Sequence, residues 1–124
     1  EQLLENANYY LRRFTTQYEL TTQPGSLVIL ITDKTENNIT RPVNTLSGGE
    51  QQRAAFARAV INNPGILLAD EPIANLDRDN GDVLIELLES LWKKGVTVIC
   101  VSHDERMRKA EYDLLNIENL SLAK

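Results

Sequence analysis

The sequence predicts an α/β fold: a parallel sheet with flanking helices, preceded by a helix and a β-hairpin. Three observations predict it. From residue 47 onward the chain alternates helix, strand, helix, strand, helix, strand. The strand segments 66–69 and 96–101 are continuous apolar runs, as expected of a parallel sheet covered on both faces. Before residue 46 the pattern changes to one helical stretch and a pair of extended segments around a Pro-Gly turn.

The elements follow in order. Residues 1–17 place Leu4, Ala7, Leu11, Phe14 and Tyr18 at three- and four-residue steps, which predicts a helix. Tyr18 to Thr22 and Ser26 to Thr32 flank Pro24-Gly25 and predict a strand pair, and Asp33 to Asn44 is polar and reads as a loop. Ser47 followed three residues later by Glu50 is a capping box opening a helix over 50–62, stopped by Asn63-Pro64-Gly65. A second helix over 79–94 carries Val83, Leu84, Leu87, Leu88 and Leu91 on one stripe and ends at Gly95. A short helix over 104–111 and a last strand over 113–117 complete the reading.

Composition narrows the function classes. The 124 residues are 42% hydrophobic and 25% charged, enough to bury a core, and the net charge is −5. A deficit of Lys and Arg argues against gripping nucleic acid over the whole surface. The basic clusters Arg12-Arg13, Lys93-Lys94 and Arg106 to Lys109 read as solvated faces. Cys100 is the only cysteine, so it forms no internal disulfide, and it lies in an apolar run that predicts burial. No signal-peptide pattern and no apolar run near 20 residues is present, so a cytoplasmic protein without direct membrane insertion is expected.

Four motifs carry chemistry. Leu46-Ser47-Gly48-Gly49-Glu50 joins close-approach glycines to a helix N-terminus, an anion site by construction; alone it is also just a capped helix. Ile66 to Ala69 runs into Asp70-Glu71. A first carboxylate there can hold Mg²⁺, mostly through water, and a second can orient or deprotonate an attacking water. Ala74-Asn75-Leu76-Asp77 alone is a turn into a helix. His103 ends an apolar strand that lies beside the acidic one, where an imidazole can donate to a phosphate oxygen; a lone histidine is more often structural. Asp70-Glu71 and His103 both fall at carboxyl ends of parallel strands, where reactive groups collect in such sheets.

In this order and spacing, residues 45–105 closely resemble the ABC-type ATPase family. The resemblance implies that Ser47, Gly48 and Gly49, with Glu50, meet the γ-phosphate of ATP held by another protomer. It implies that Asp70 serves Mg²⁺, Glu71 is the general base, Asp77 lies in the D-loop at a dimer interface, and His103 is the switch histidine. One part is missing. None of the glycines is followed by Lys-Ser or Lys-Thr, so no G-x-x-x-x-G-K-[ST] phosphate loop occurs, and only 45 residues precede Leu46. The expectation is a single lobe over 1–124, with the phosphate-loop lobe absent. Such a lobe is an ATPase only when combined with a P-loop-bearing N-terminal lobe or second ATPase head.

Two branches of the family compete. The helix, the strand pair over 18–45 and Arg41-Pro42-Val43-Asn44-Thr45-Leu46 resemble the C-terminal lobe of SMC-like DNA-repair ATPases of the SbcC class. Residues 1–17 would then end a returning coiled coil, and DNA and a nuclease subunit would be partners. Gln51-Gln52-Arg53, Asn63-Pro64, Asp70-Glu71-Pro72 and Ala74 to Asp77 resemble a transporter ATP-binding subunit, whose partner would be a membrane permease. The architecture before the signature tilts the reading toward the SMC-like lobe. A chimera of the two, and a non-catalytic dimerisation module, are further alternatives.

Overall fold

The computed structural model describes residues 2–26, 28–109 and 111–115. Helix α1 spans Gln2–Leu11 and is followed by strands β1 (Tyr18–Thr22), β2 (Ile29–Asp33) and β3 (Ile39–Pro42). Helix α2 (Gly48–Val60), strand β4 (Ile66–Asp70), helix α3 (Arg78–Lys93) and strand β5 (Thr97–Val101) complete the α/β part. A short 3-10 turn at Glu105–Met107 follows.

Helix α1 ends earlier than its apolar spacing predicts. The bonds from Arg13 N to Tyr10 O (3.1 Å) and Phe14 N to Leu11 O (3.0 Å) tighten the next turn into three-residue steps. Ala7, Asn8, Tyr10 and Leu11 form its buried face. Asn8 is a polar residue in that face because it clips β1. Its Nδ2 donates to Leu20 O (2.9 Å), and its Oδ1 accepts from Leu20 N (2.7 Å). Both backbone groups of one strand residue are thereby satisfied away from water.

β1 and β2 form the predicted antiparallel hairpin, paired from Tyr18 with Asp33 to Thr22 with Ile29. The polar segment read as a loop contains a third strand: β3 pairs antiparallel with β2, from Leu30 with Pro42 to Asp33 with Ile39. A Thr21–Thr32–Thr40 hydroxyl ladder crosses the three strands at 3.2 and 2.9 Å. Pro42 is tolerated because β3 is an edge strand. Asp33 is buried at the end of β2, where its carboxylate accepts from Thr35 Oγ1 (2.7 Å), Thr35 N (2.9 Å) and Gln17 Nε2 (2.9 Å). The Thr35 hydroxyl, outweighing burial together with the Thr35 and Glu36 amides and Gln17, holds the Asp33 carboxyl below its usual range.

Helices α2 and α3 sit close to their predicted bounds. Ala54, Phe56, Ala57 and Val60 are the buried face of α2, and Phe56 meets Tyr10 and Phe14 edge-on at 6.1 and 6.2 Å. Leu84, Ile85, Leu87, Leu88 and Leu91 are the buried stripe of α3, which Gly95 terminates at a φ of 95°. β4 and β5 pair in parallel, from Ile66 with Thr97 to Asp70 with Val101.

The expectation of a sheet covered on both faces is corrected. Leu67 is buried and Val98 partly so, but the alternate residues Ile66, Leu68, Ile99 and Val101 are 63, 74, 54 and 48% exposed. Successive side chains point to opposite faces, and within the described residues the helices cover one of them. Cys100 lies on the covered face with Val98, yet near the strand's end it is half-buried rather than enclosed, and burial pushes its thiol up. The predicted helix over 104–111 reduces to the 3-10 turn. Residues 113–115 are irregular, and the rest of the strand expected over 113–117 lies outside the described residues.

Candidate functional site

The signature segment is held from both sides. Leu46 is buried and anchors the approach to α2. Gln51 Nε2 donates to Leu46 O (2.9 Å) and Asn44 O (3.3 Å), fixing the preceding backbone. Ser47 caps α2 with the reciprocal bonds the sequence predicts: Ser47 N donates to Glu50 Oε2 (2.9 Å), and Ser47 Oγ accepts from Glu50 N (3.4 Å). Glu50 is therefore engaged within its own turn. Burial raises its carboxyl, but bonds from Ser47 and Tyr18 and the charge of Arg53 outweigh that and hold it low. Ser47 and Gly48 are exposed, and the first N–H groups of α2 have no intrahelical carbonyl. That arrangement suits an anion arriving from outside the chain.

The two glycines do different work. A Cβ on Gly49 would stand 2.8 Å from Asn75 O and 3.5 Å from Leu76 Cδ2. Gly49 thus gives close approach to the 74–77 segment. At Gly48 the nearest atom to a Cβ is 4.0 Å away, leaving room. Asp77 ends that segment as the N-cap of α3. Its Oδ1 accepts from Asn80 N (2.9 Å) and its Oδ2 from Asn80 Nδ2 (2.7 Å), which holds its carboxyl below the usual range.

Glu71 and His103 meet at the carboxyl ends of β4 and β5. The Glu71 peptide is tied to the sheet by Glu71 N donating to Val101 O (2.8 Å). Its φ is 44°, in the left-handed region that a glutamate seldom adopts. The carboxylate accepts from His103 N at Oε1 (3.1 Å) and from Ser102 Oγ at Oε2 (3.3 Å), and His103 Nε2 stands 3.5 Å from Oε1. Glu71 is partly exposed and the His103 side chain is almost wholly so. Asp70, on the last residue of β4, is exposed beside them. Among the described residues no three His, Cys, Asp or Glu side chains cluster as a metal cage. The donor set fits an ion held by one carboxylate plus water and phosphate oxygens, the habit of Mg²⁺.

Two supports were not legible in the motifs. Gln52 Nε2 donates to Glu71 O (2.9 Å), joining the signature helix to the acidic strand end. Arg106 donates to both Asp104 oxygens (2.8 to 3.2 Å) and to Asp82 Oδ1 (3.1 Å), fastening the segment after His103 to α3. Asp104, first through this guanidinium, is held below its usual range. Arg106 lies where Gly81 has no side chain: a Cβ there would be 2.9 Å from Nη1.

The sequence around these residues is similar to that of known proteins. The family model described as ABC transporter matches residues 14–74, just under half of the chain. The cell division ATP-binding protein FtsE of Streptococcus pneumoniae is 46% identical over 77 residues, 61% of this chain and 34% of that protein. The solved dimeric structure of MJ0796, a bacterial ABC transporter cassette, is 43% identical, with a TM-score of 0.51 over 57% of this chain and 31% of that one. Over these segments the chain is similar to ABC-type ATPases, and that superfamily is supported.

Other ABC relatives refine the picture. The macrolide export ATP-binding/permease protein MacB of Bdellovibrio bacteriovorus is 45% identical over 76 residues, 61% of this chain and 12% of that protein. The Smc head domain of Pyrococcus yayanosii shares the fold over 86% of this chain at a TM-score of 0.65, at 19% identity. The match spans about a third of FtsE. The strong sequence likeness therefore lies with transporter-type ATP-binding proteins, and the likeness to SMC heads is one of fold. The expected leaning toward a DNA-repair branch, with DNA and a nuclease as partners, is not favoured. ATP binding goes with the superfamily.

Proposed function

We propose that this chain is the signature, acidic-strand and switch-histidine part of an ABC transporter ATP-binding subunit, and that it completes an ATP-hydrolysis site with a P-loop-bearing lobe. The observation that carries the reading is the convergence of Glu71 and His103 at the ends of two parallel strands, with the signature helix hydrogen-bonded to the same point. The identity to transporter-type proteins favours the transporter branch, with a membrane permease as partner of the whole assembly. Among the described residues no helix is long and apolar enough to cross a membrane, so contact with the bilayer would run through that partner.

The roles are those the family resemblance implies, and the geometry supports them. Glu71, partly exposed and with lone pairs left after its bonds to Ser102 and His103, accepts a proton from the attacking water. His103 reaches into solvent and donates to a phosphate oxygen. Ser47 and the first N–H groups of α2 face the γ-phosphate of a nucleotide on another protomer. Asp70 would hold Mg²⁺ through water, and the ion would neutralise charge on the phosphates. The phosphate-binding lobe must come from elsewhere, since no P-loop motif occurs in these residues. The exposed apolar row Ile66, Leu68, Ile99 and Val101 is a face for that lobe to cover.

Reconstitution tests this. The chain mixed with a P-loop-bearing ABC lobe should hydrolyse Mg-ATP, whereas calorimetry on the chain alone should detect no micromolar binding. Glu71→Gln should abolish turnover while nucleotide-dependent association persists. Full turnover by that variant would show that Glu71 is not the base.

A further inference from the structure

We propose that Gln52 is a positioning residue for Glu71, tying the signature helix directly to the carboxylate that activates water. The inference rests on the ATPase reading above. Glu71 holds a left-handed backbone conformation, with a φ of 44°, that its own side chain disfavours. Such a conformation persists only where neighbours over-determine it. The N–H side is fixed by β5, through Val101 O. The carbonyl side is fixed by two donors, Ala74 N from the following turn (3.2 Å) and Gln52 Nε2 from α2 (2.9 Å). Gln52 is thus the only one of these three donors and acceptors that belongs to the signature helix.

The other end of the same amide points to purpose rather than packing. Gln52 Oε1 is buried and has no hydrogen-bond partner among the described residues. Turning the amide over would set two oxygens against each other at Glu71, so its orientation is fixed by the Glu71 carbonyl. A buried acceptor left unsatisfied offsets what the donated bond contributes to stability. An apolar side chain of similar volume would avoid that cost. The one thing it could not do is hold the Glu71 carbonyl.

The consequence is mechanical. Ser47 and Gln52 lie on successive turns of one helix, so a shift of α2 when Ser47 engages a partner's nucleotide is transmitted to the Glu71 peptide. Glu71 in turn carries the carboxylate that faces Ser102 and His103.

Gln52→Leu separates this from a structural role. In the reconstituted ATPase we expect kcat to fall roughly ten- to a hundred-fold with KM for ATP unchanged, as for sub-ångström displacement of a reacting group. The melting temperature of the chain should stay near that of the unsubstituted protein, because the unpaired oxygen leaves with the bond. Amide exchange at Glu71, read on the chain without nucleotide, should quicken in Gln52→Leu. Unchanged kcat or unchanged exchange at Glu71 would each overturn the proposal. An unsubstituted complex without turnover would overturn the ATPase reading and any catalytic role for Gln52. The exchange measurement would still decide whether the clamp exists.

Discussion

Substituting the two signature glycines by alanine separates packing from ligand approach. At Gly49 the added Cβ would lie 2.8 Å from Asn75 O, where ordinary contact begins at 3.4 Å, so α2 and the 74–77 segment must part by about 0.6 Å. The obstacle is backbone and cannot swing aside. Overpacking of this kind costs about 1–3 kcal/mol, and alanine's better helix propensity returns about 0.5–1 kcal/mol. The net loss for Gly49→Ala is therefore roughly 1–2 kcal/mol. At Gly48 the nearest atom is 4.0 Å away, so Gly48→Ala keeps the propensity gain without the clash. The difference predicts that Gly49→Ala melts about 5–10 °C below Gly48→Ala for a chain of this size. Thermal unfolding followed by circular dichroism, checked by urea titration, measures both. If Gly49→Ala melted at or above Gly48→Ala, the close contact between the signature and Asn75 would be refuted.

Further expectations concern the sheet and the hairpin. Leu67 and Leu68 are neighbours with opposite fates. Leu67→Ala, on the covered face, should cost about 2–5 kcal/mol in urea unfolding. Leu68→Asp, on the open face, should change stability by less than about 0.5 kcal/mol yet block ATPase reconstitution with a P-loop lobe. Asp33 should give the fold an acid-sensitive step. Its carboxyl is held low in the folded chain, so its contribution is complete above the ordinary aspartate value of 3.8 and is lost as pH falls through the lower folded value. Melting curves of the unsubstituted chain and Asp33→Asn should differ at pH 7 and converge on acidification below pH 3.8.

Much of this was legible because local chemistry and fold agreed. Ser47 and Glu50 announced the start of α2, and the helix begins there with both reciprocal bonds made. The stripe of leucines in α3 and the stop at Gly95 needed no tertiary information. Strand β3 was not legible because it is short, polar and at an edge, and its burial shows no clean alternation. The apolar runs of β4 and β5 report the surroundings those strands are suited to, and the described helices supply half of them. The convergence of Glu71 with His103 followed from topology, since parallel neighbours bring their carboxyl ends together. The Gln52 bond could not be read, because no periodicity tells a polar helix residue which carbonyl, 19 positions on, it will meet.

Gly81 sits in the middle of α3, where alanine would ordinarily be the better helix former. What occupies the missing side chain's place is the guanidinium of Arg106, pinned there by Asp82 and Asp104. The two positions are therefore one choice made twice in the sequence. Were the arginine removed, position 81 would be free to carry a side chain and stiffen the helix. With the arginine in place, the gap in the helix gives the loop bearing the histidine somewhere to rest.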